Sequence, residues 1–307
     1  MPGLSRAPYR PIGALLLAAS CGAGAPPTAA TSPAVPGDAA ALTGTACDEL
    51  KGADRARATD LLASLYIHDC CDEPLDRCLL QEPRCRLAVR LAENVCRRVA
   101  SGQDDERIRK ALSMRARMAA AEQTGQRAAI DLAGAPAAGD ADAPIEVVVY
   151  ADPRGPHCAR MVPLIHASVT TGALAGKARL YLKPFPLRSN PYSKEAGLAF
   201  LAAQELGDLW GFVLYSYARF DLFTVEAMPE WAAAAGLDRT RFEQLIADPD
   251  LTARLVASKQ EGADNGVAST PWFFFDGRFY EGELEIDEIV DTVLEIHDRR
   301  QGPTHAP

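Results

Sequence analysis

The sequence predicts an α/β protein preceded by a small cysteine-rich all-α module. Two features of the chain carry this expectation. Six of its eight cysteines fall between Cys47 and Cys96, in a stretch with helical apolar spacing. Beyond about residue 127, β-branched apolar runs of strand length alternate with helical patterns. At 307 residues the chain exceeds one typical domain. Its 48% apolar and 24% charged residues suit a folded globular protein and exclude a mostly disordered one. The net charge of −9 argues against a nucleic-acid partner, whose binder would present a basic face. The apolar runs fall short of the roughly 18 residues that a lipid-spanning helix needs.

Residues 1–20 have the form of a signal peptide. Arg6 and Arg10 make a basic start, and Ile12 to Ala19 make a short apolar run ending at Ser20-Cys21. Leu17-Ala18-Ala19-Ser20-Cys21-Gly22 resembles a bacterial lipobox, which implies lipidation at Cys21; Ala18 stands where leucine is commoner. The expected location is the periplasm or cell envelope, with the membrane met only through that anchor, and plain secretion is the alternative. Residues 21–44, rich in Ala, Pro, Thr and Gly, suit a flexible linker from an anchor.

Residues 45–122 are expected to form the cysteine-rich helical module. Asp54 to Tyr66 places Ala58, Leu61, Leu62 and Leu65 on one face, and a short candidate helix lies around Leu75 to Leu80. Pro83 stands at the favoured early position of a helix running to about Ala100. Ser101-Gly102 ends it, and Asp104 caps a further helix with Ile108, Ala111, Leu112 and Ala119 inward. On that placement Cys85 and Cys96 sit on one side of the same helix, roughly 16 Å apart. A disulfide needs Cα atoms within about 7 Å, so each must pair elsewhere. Cys70 and Cys71 are expected to reach two different partners, and three bridges would knit Cys47, Cys70, Cys71 and Cys78 to the helix of Cys85 and Cys96.

Which pairs form stays open. Stapling a domain too small to bury much core is the simplest role for the bridges. A redox-active pair within the cluster is an alternative. A metal site is a poorer one, because the run lacks the paired CxxC knuckles of zinc sites. The segment from Cys70-Cys71 to Arg115 faintly resembles the helical thiol oxidoreductase domain of cytochrome c maturation proteins. It lacks their CxxC, so no function is carried over.

Residues 127–300 read as strand, helix and strand, then a block of helices, a hairpin and a closing helix. Ile145 to Ala151 is the first strand, with a helix following from Cys158 through Val169. Ala178 to Lys183 is the second strand, ended by Pro184 and Pro186. Helical patterns cover Tyr192–Leu206, Leu209–Arg219, Val225–Ala235, Arg239–Ile246 and Leu251–Asn265. Trp272 to Phe275, Asp276-Gly277 and Arg278 to Tyr280 predict a hairpin on an Asp-Gly turn. An amphipathic helix from Ile286 to His297 closes the chain. The acidic run Glu281 to Glu288 is expected to be the solvated start of that helix.

That order is the order of a thioredoxin-like fold with a helical insertion, and several motifs resemble the DsbA-like family of periplasmic thiol-disulfide oxidoreductases. Ala143 to Asp152 looks like the family's opening strand. Gly155-Pro156-His157-Cys158 stands at its Cys-Pro-His-Cys active site. Phe185-Pro-Leu187 with Asn190-Pro191 resembles its second-strand exit, and Gly266-Val267-Ala268-Ser269-Thr270-Pro271 its cis-proline loop. The resemblance implies a helix-opening thiolate, a resolving cysteine one turn on, and Thr270 and Pro271 as substrate-binding residues.

Here Gly155 takes the place of the first cysteine, so only the resolving position, Cys158, remains. Three functions follow as expectations. One is a non-catalytic chaperone or adaptor that holds extended polypeptide by the proline loop. Another keeps impaired redox activity on polypeptide cysteines, in which Cys158 exchanges with a cysteine of the helical module or acts as a monothiol. The third is a part in assembling cytochromes or metal centres. No phosphate loop or dinucleotide fingerprint occurs, so no cofactor is expected, nor a metal.

Overall fold

The computed structural model describes residues 42, 45–67, 69–124 and 126–301. The expected signal peptide, Cys21, His68 and His305 lie outside the described residues, as does the linker apart from Leu42. Leu42 itself is buried in the core of the helical module. Among the described residues no helix is long and apolar enough to cross a membrane.

The module opens on a short 3₁₀ turn, Ala46–Glu49, where the Thr45 hydroxyl accepts from the Cys47 amide. Helix α1, Gly52–Ser64, buries Ala58, Leu61 and Leu62. Its predicted end is two residues long, because Tyr66 leaves the helix to bridge Pro74. A single turn, α2 (Leu75–Cys78), leads to α3, Arg86–Ala100, whose apolar stripe includes Leu87, Leu91, Val95 and Val99. Helix α4, Asp105–Thr124, follows Asp104, whose carboxylate accepts from the Arg107 amide.

Three disulfides staple this module: Cys47–Cys96, Cys70–Cys85 and Cys71–Cys78. Neighbours Cys70 and Cys71 do take different partners. Two expectations need correction. Pro83 does not open α3: Cys85, extended and tied to the loop of Cys70, is its N-cap, and helical hydrogen bonding begins beyond it. Nor do all the outer cysteines reach that helix. The turn of α2 brings Cys78 back to Cys71 with Cα atoms 6.1 Å apart, so this bridge closes within its own loop.

The second half is built on a five-stranded sheet in the order β1-β3-β2-β4-β5. Its strands are β1 (Ala138–Gly139), β2 (Ile145–Ala151), β3 (Ala178–Pro184), β4 (Trp272–Phe275) and β5 (Arg278–Phe279). Strand β2 pairs in parallel with β3 along seven residues and antiparallel with β4, so it is central. Its side chains alternate between two apolar layers. Ile145, Val147 and Val149 join the larger core, while Val148 and Tyr150 meet Phe185, Val267 and Phe274 on the other face. The β4–β5 turn has Asp276 and Gly277 at φ 49° and 77°, both central residues left-handed as a tight hairpin favours.

Helix α5, Pro156–Thr170, joins β2 to β3. Between β3 and β4 come α6 (Ser193–Glu205), α7 (Leu209–Tyr217), α8 (Met228–Ala234), α9 (Arg239–Ile246) and α10 (Pro249–Asp264). These form the expected insertion, with ends shifted by up to three residues. Helix α11, Ile286–Arg300, closes the fold and packs Ile289 and Val293 into the core. The two-residue strand β1 had no recognisable pattern.

The acidic run is not solvated as a whole. Glu288 is buried and pairs with Arg98 of α3 at 3.0 Å, and Glu283 meets the same guanidinium at 2.9 Å. Farther along α11, Asp291 meets Arg97 at 2.5 Å and Asp298 meets Arg90 at 2.9 Å, while Glu295 pairs with Arg115 of α4. One acidic face of α11 therefore joins the thioredoxin-like half to the cysteine-rich module. Buried charges persist only when compensated, and each of these faces an opposite charge.

Candidate functional site

Strand β2 ends at Ala151, and the chain turns through Asp152-Pro153-Arg154-Gly155 into α5. Gly155 is the N-cap, with φ −85° and ψ 121°, and Pro156 takes the first helical position, where its missing N–H is no loss. Pro156 and His157 are exposed, whereas Cys158 is completely buried. Cys158 is the free cysteine among the described residues.

The thiol of Cys158 lies against the proline loop. It hydrogen-bonds with Thr270 and with the Asp152 backbone. The Thr270–Pro271 peptide is cis, as the family resemblance implied. Thus two distant motifs, residues 155–158 and 270–271, meet at one end of the sheet. Burial pushes the Cys158 thiol up to about 12, far outweighing the two hydrogen bonds that favour its ionised form. At neutral pH this sulfur is a protonated thiol without access to solvent.

Gly155 faces it directly. A Cβ on that residue would stand 3.2 Å from the Cys158 sulfur, and equally close to the Cβ and carbonyl oxygen of Asp152. No other sulfur is free to take that place among the described residues, because Cys47, Cys70, Cys71, Cys78, Cys85 and Cys96 are consumed in the three bridges.

The loop is held from below by Asp152, whose carboxylate is fully buried. One oxygen accepts from the Arg154 amide at 2.8 Å and from the Ser193 hydroxyl. The other accepts from the Leu187 amide at 3.0 Å and the Asn190 side chain at 2.6 Å. Four donors make this burial tolerable and tie the second-strand exit to the start of α5.

The helical insertion completes the cage. Tyr217 of α7 donates to the Asp152 carbonyl at 3.2 Å, and burial, with the nearby sulfur and carboxylate, holds its hydroxyl well above the usual range. Arg154 lies over the rings of Phe220 and Phe223 at 4.4 and 4.2 Å and donates to the Phe220 carbonyl. Burial lowers the Arg154 guanidinium, with Asp152 and Asp221 opposing.

Sequence reasoning did not identify Asp152 and Tyr217 as site residues. A carboxylate directly after the apolar run Val147 to Ala151 was the available signal for the first; Tyr217 carried none. His166 packs on Trp210, and Trp272 is half-buried and stacked on Phe279. Among the described residues no group of three or more His, Cys, Asp or Glu is placed to hold a metal ion.

Residues 132–294, more than half of the chain, match the family model described as thioredoxin. Among curated proteins, a Na(+)/H(+) antiporter NhaA 3 of Salinispora tropica is 29% identical over 158 residues, covering 51% of this chain and 24% of that protein. The chain thus spans about a quarter of the length of the antiporters it matches. The thiol:disulfide interchange protein DsbA of Bordetella parapertussis is 28% identical over 170 residues, covering 50% of this chain and 79% of that protein. Among solved structures, the thiol-disulfide exchange protein alpha-DsbA2 from Wolbachia pipientis aligns with TM-score 0.48 and 19% identity, over 61% of this chain and 97% of the other. With its sheet order, its site at the N-terminus of α5 and the match over residues 132–294, the chain belongs to the thioredoxin family.

Proposed function

We propose that this is an exported protein of the DsbA-like thiol-disulfide oxidoreductase family that binds extended polypeptide beside Thr270-Pro271 and has given up dithiol exchange. The observation that carries this is the pairing of Gly155 with a buried, protonated Cys158. Dithiol exchange needs an attacking thiolate and a resolving thiol. The first position has no sulfur here, and the second is closed to solvent. The proline loop keeps its place over the helix start, so the surface that would hold a client chain is retained without the chemistry.

Monothiol exchange through Cys158 is the competing reading, favoured by the hydrogen bond from Thr270 to its sulfur. Burial weighs against it, since an incoming disulfide must reach the sulfur in line. Export is supported by the three bridges, which belong to an oxidising compartment. The anchor at Cys21 and the boundaries 45–122 and 127–300 are part of the same proposal.

Insulin reduction and oxidation of a reduced, unfolded substrate test the chemistry. Wild type and Cys158→Ala should show the same background rates, and a loss in the variant would restore the monothiol reading. Anisotropy with a labelled unfolded polypeptide tests the groove. Thr270→Arg should weaken binding at least tenfold, and unchanged binding would remove the proline loop from the function. Release of the protein from membranes by Cys21→Ser would test the anchor.

A further inference from the structure

We infer that the Cys71–Cys78 bridge is a redox site that exchanges with small aminothiols, while Cys47–Cys96 and Cys70–Cys85 are permanent staples. It shares no residue with the cluster around Cys158 and stands apart from the reading of that half.

Access separates the three bridges. A thiolate attacks a disulfide sulfur in line with the bond it breaks. Cys78 is fully buried and Cys71 half-buried, so an incoming thiolate meets Cys71, with Cys78 behind it as the leaving sulfur. Cys47 and Cys96 are both buried, which closes that bridge to attack. Cys70 is half-buried as well, but its partner Cys85 is the N-cap of α3, and that bridge spans 15 residues against 7 for Cys71–Cys78. The shortest loop gains least from closure, so opening it costs least.

Both sulfurs also have partners that suit the reduced pair. The Gln81 side-chain amide donates to the Cys71 sulfur at 3.3 Å, and such a hydrogen bond stabilises a thiolate. The Cys78 sulfur lies 3.2 Å from the Glu73 carbonyl oxygen, a contact that becomes a hydrogen bond once the sulfur carries a proton. The loop has non-covalent anchors too. Leu75 and Leu79 are buried in the module core, and the Leu75 amide donates to the Leu65 carbonyl at 2.7 Å.

Reduction begins when a small thiolate bonds to the Cys71 sulfur and the Cys71–Cys78 bond breaks. Cys78 leaves with the electron pair and takes a proton from water. A second thiolate attacks the sulfur of the first, releasing the small disulfide and the Cys71 thiolate. Two electrons pass from two thiols to the bridge, and the small disulfide reverses the sequence. Charge selects the thiol. Residues 69–84 carry five acids against Arg77 and Arg84. Asp69, Asp72 and Glu73 are exposed beside the bridge, and among the described residues no basic side chain pairs with them. The ammonium of an aminothiol offsets its thiolate, whereas an anionic thiol is repelled.

The probe is a cysteamine–cystamine buffer applied to the folded chain, with thiols trapped by alkylation and mapped by mass spectrometry. Cys71 and Cys78 should appear together, before any other bridge opens and with circular dichroism unchanged. An early quench should find cysteamine bound to Cys71, and Cys78→Ala should accumulate the same adduct with cystamine. Gln81→Leu should lower the equilibrium constant for reduction by about threefold or more. Added salt should speed reduction by mercaptoethanesulfonate and leave cysteamine little changed. The proposal is overturned if these two cysteines stay bridged while the chain is folded, if another bridge opens first, or if the adduct forms elsewhere. An unchanged constant in folded Gln81→Leu, or one salt response shared by the two thiols, would overturn it as well.

Discussion

Gly155→Cys is the most informative perturbation of the site. The backbone of residue 155, at φ −85° and ψ 121°, accepts any L-residue. Its Cβ would stand 3.2 Å from the Cys158 sulfur. In a relaxed disulfide the Cβ of one cysteine lies about 3 Å from the sulfur of the other, so bonding needs a shift of only a few tenths of an ångström. Contacts of 3.2 Å to Asp152 require a similar adjustment.

The chemical gain can be bounded. With its thiol pushed up to about 12, Cys158 is ionised to only about one part in 10⁵ at pH 7. A thiol at the ordinary value of about 8.5 is ionised to about 3%, a gain of roughly 3,000-fold. Nucleophilicity per thiolate falls with pKa, with a Brønsted slope of about 0.45, which returns a factor of roughly 40. The net is about 100-fold before any help from the positive end of α5, and that end lowers the pKa further. Insulin reduction by Gly155→Cys should therefore exceed wild type by about 100-fold or more, and Gly155→Cys/Cys158→Ala should trap mixed disulfides instead of turning over. If mass spectrometry showed the 155–158 bond formed and the rate still matched wild type, the retained-groove explanation would fail. If the bond did not form at all, the geometry at the start of α5 would be wrong.

The remaining predictions concern stability. Burial raises the folded pKa of Cys158 to about 12 against about 8.5 unfolded, so the contribution is full below about pH 8.5 and declines by about 1.4 kcal/mol per pH unit toward 12. Urea unfolding of wild type relative to Cys158→Ala should show a flat difference from about pH 6 to 8 and a falling one from about 9 to 11; a flat difference throughout would mean the sulfur is solvated. Asp152→Ala orphans four donors and should cost at least about 3 kcal/mol, with Asp152→Asn intermediate; a loss below about 1 kcal/mol would dissolve the cage. Arg115→Met strands Glu295 and should cost about 3–5 kcal/mol, most of it recovered in Arg115→Met/Glu295→Leu, and additive losses in that cycle would show the pair is not coupled.

The sheet and the site were legible because their signals are local. Ile145 to Ala151 has the β-branched run of a buried strand, Asp276-Gly277 has the residues of a left-handed two-residue turn, and Gly155 to Cys158 and Thr270-Pro271 are short motifs whose spacing survives in any sequence context. The cysteine pairing was legible only in part. Geometry separated Cys70 from Cys71, but the return of Cys78 depends on α2 being a single turn, which four residues of sequence do not announce. Strand β1 was missed because two residues have no periodicity.

The acidic face of α11 failed for a different reason. Glu288, Asp291, Glu295 and Asp298 are spaced three, four and three residues apart, one side of a helix. Taken one residue at a time, charge on a helix means solvent, because an unpaired buried charge is prohibitively costly. That rule holds only while no partner is available. Arg90, Asn94, Arg97 and Arg98 lie four, three and one residues apart along one face of α3, and they meet α11 across sequence separations of 190 to 208 residues. Two one-sided helical stripes of opposite character in one chain were the signal, and neither could be read without the other. The same pairing explains how a module with its own disulfides and its own apolar core is joined to a thioredoxin-like half largely through charged residues, with Met118 of α4 as an apolar contact. Apolar surface would have to stay covered during synthesis, whereas two charged stripes remain soluble apart and become buried only when they meet in register.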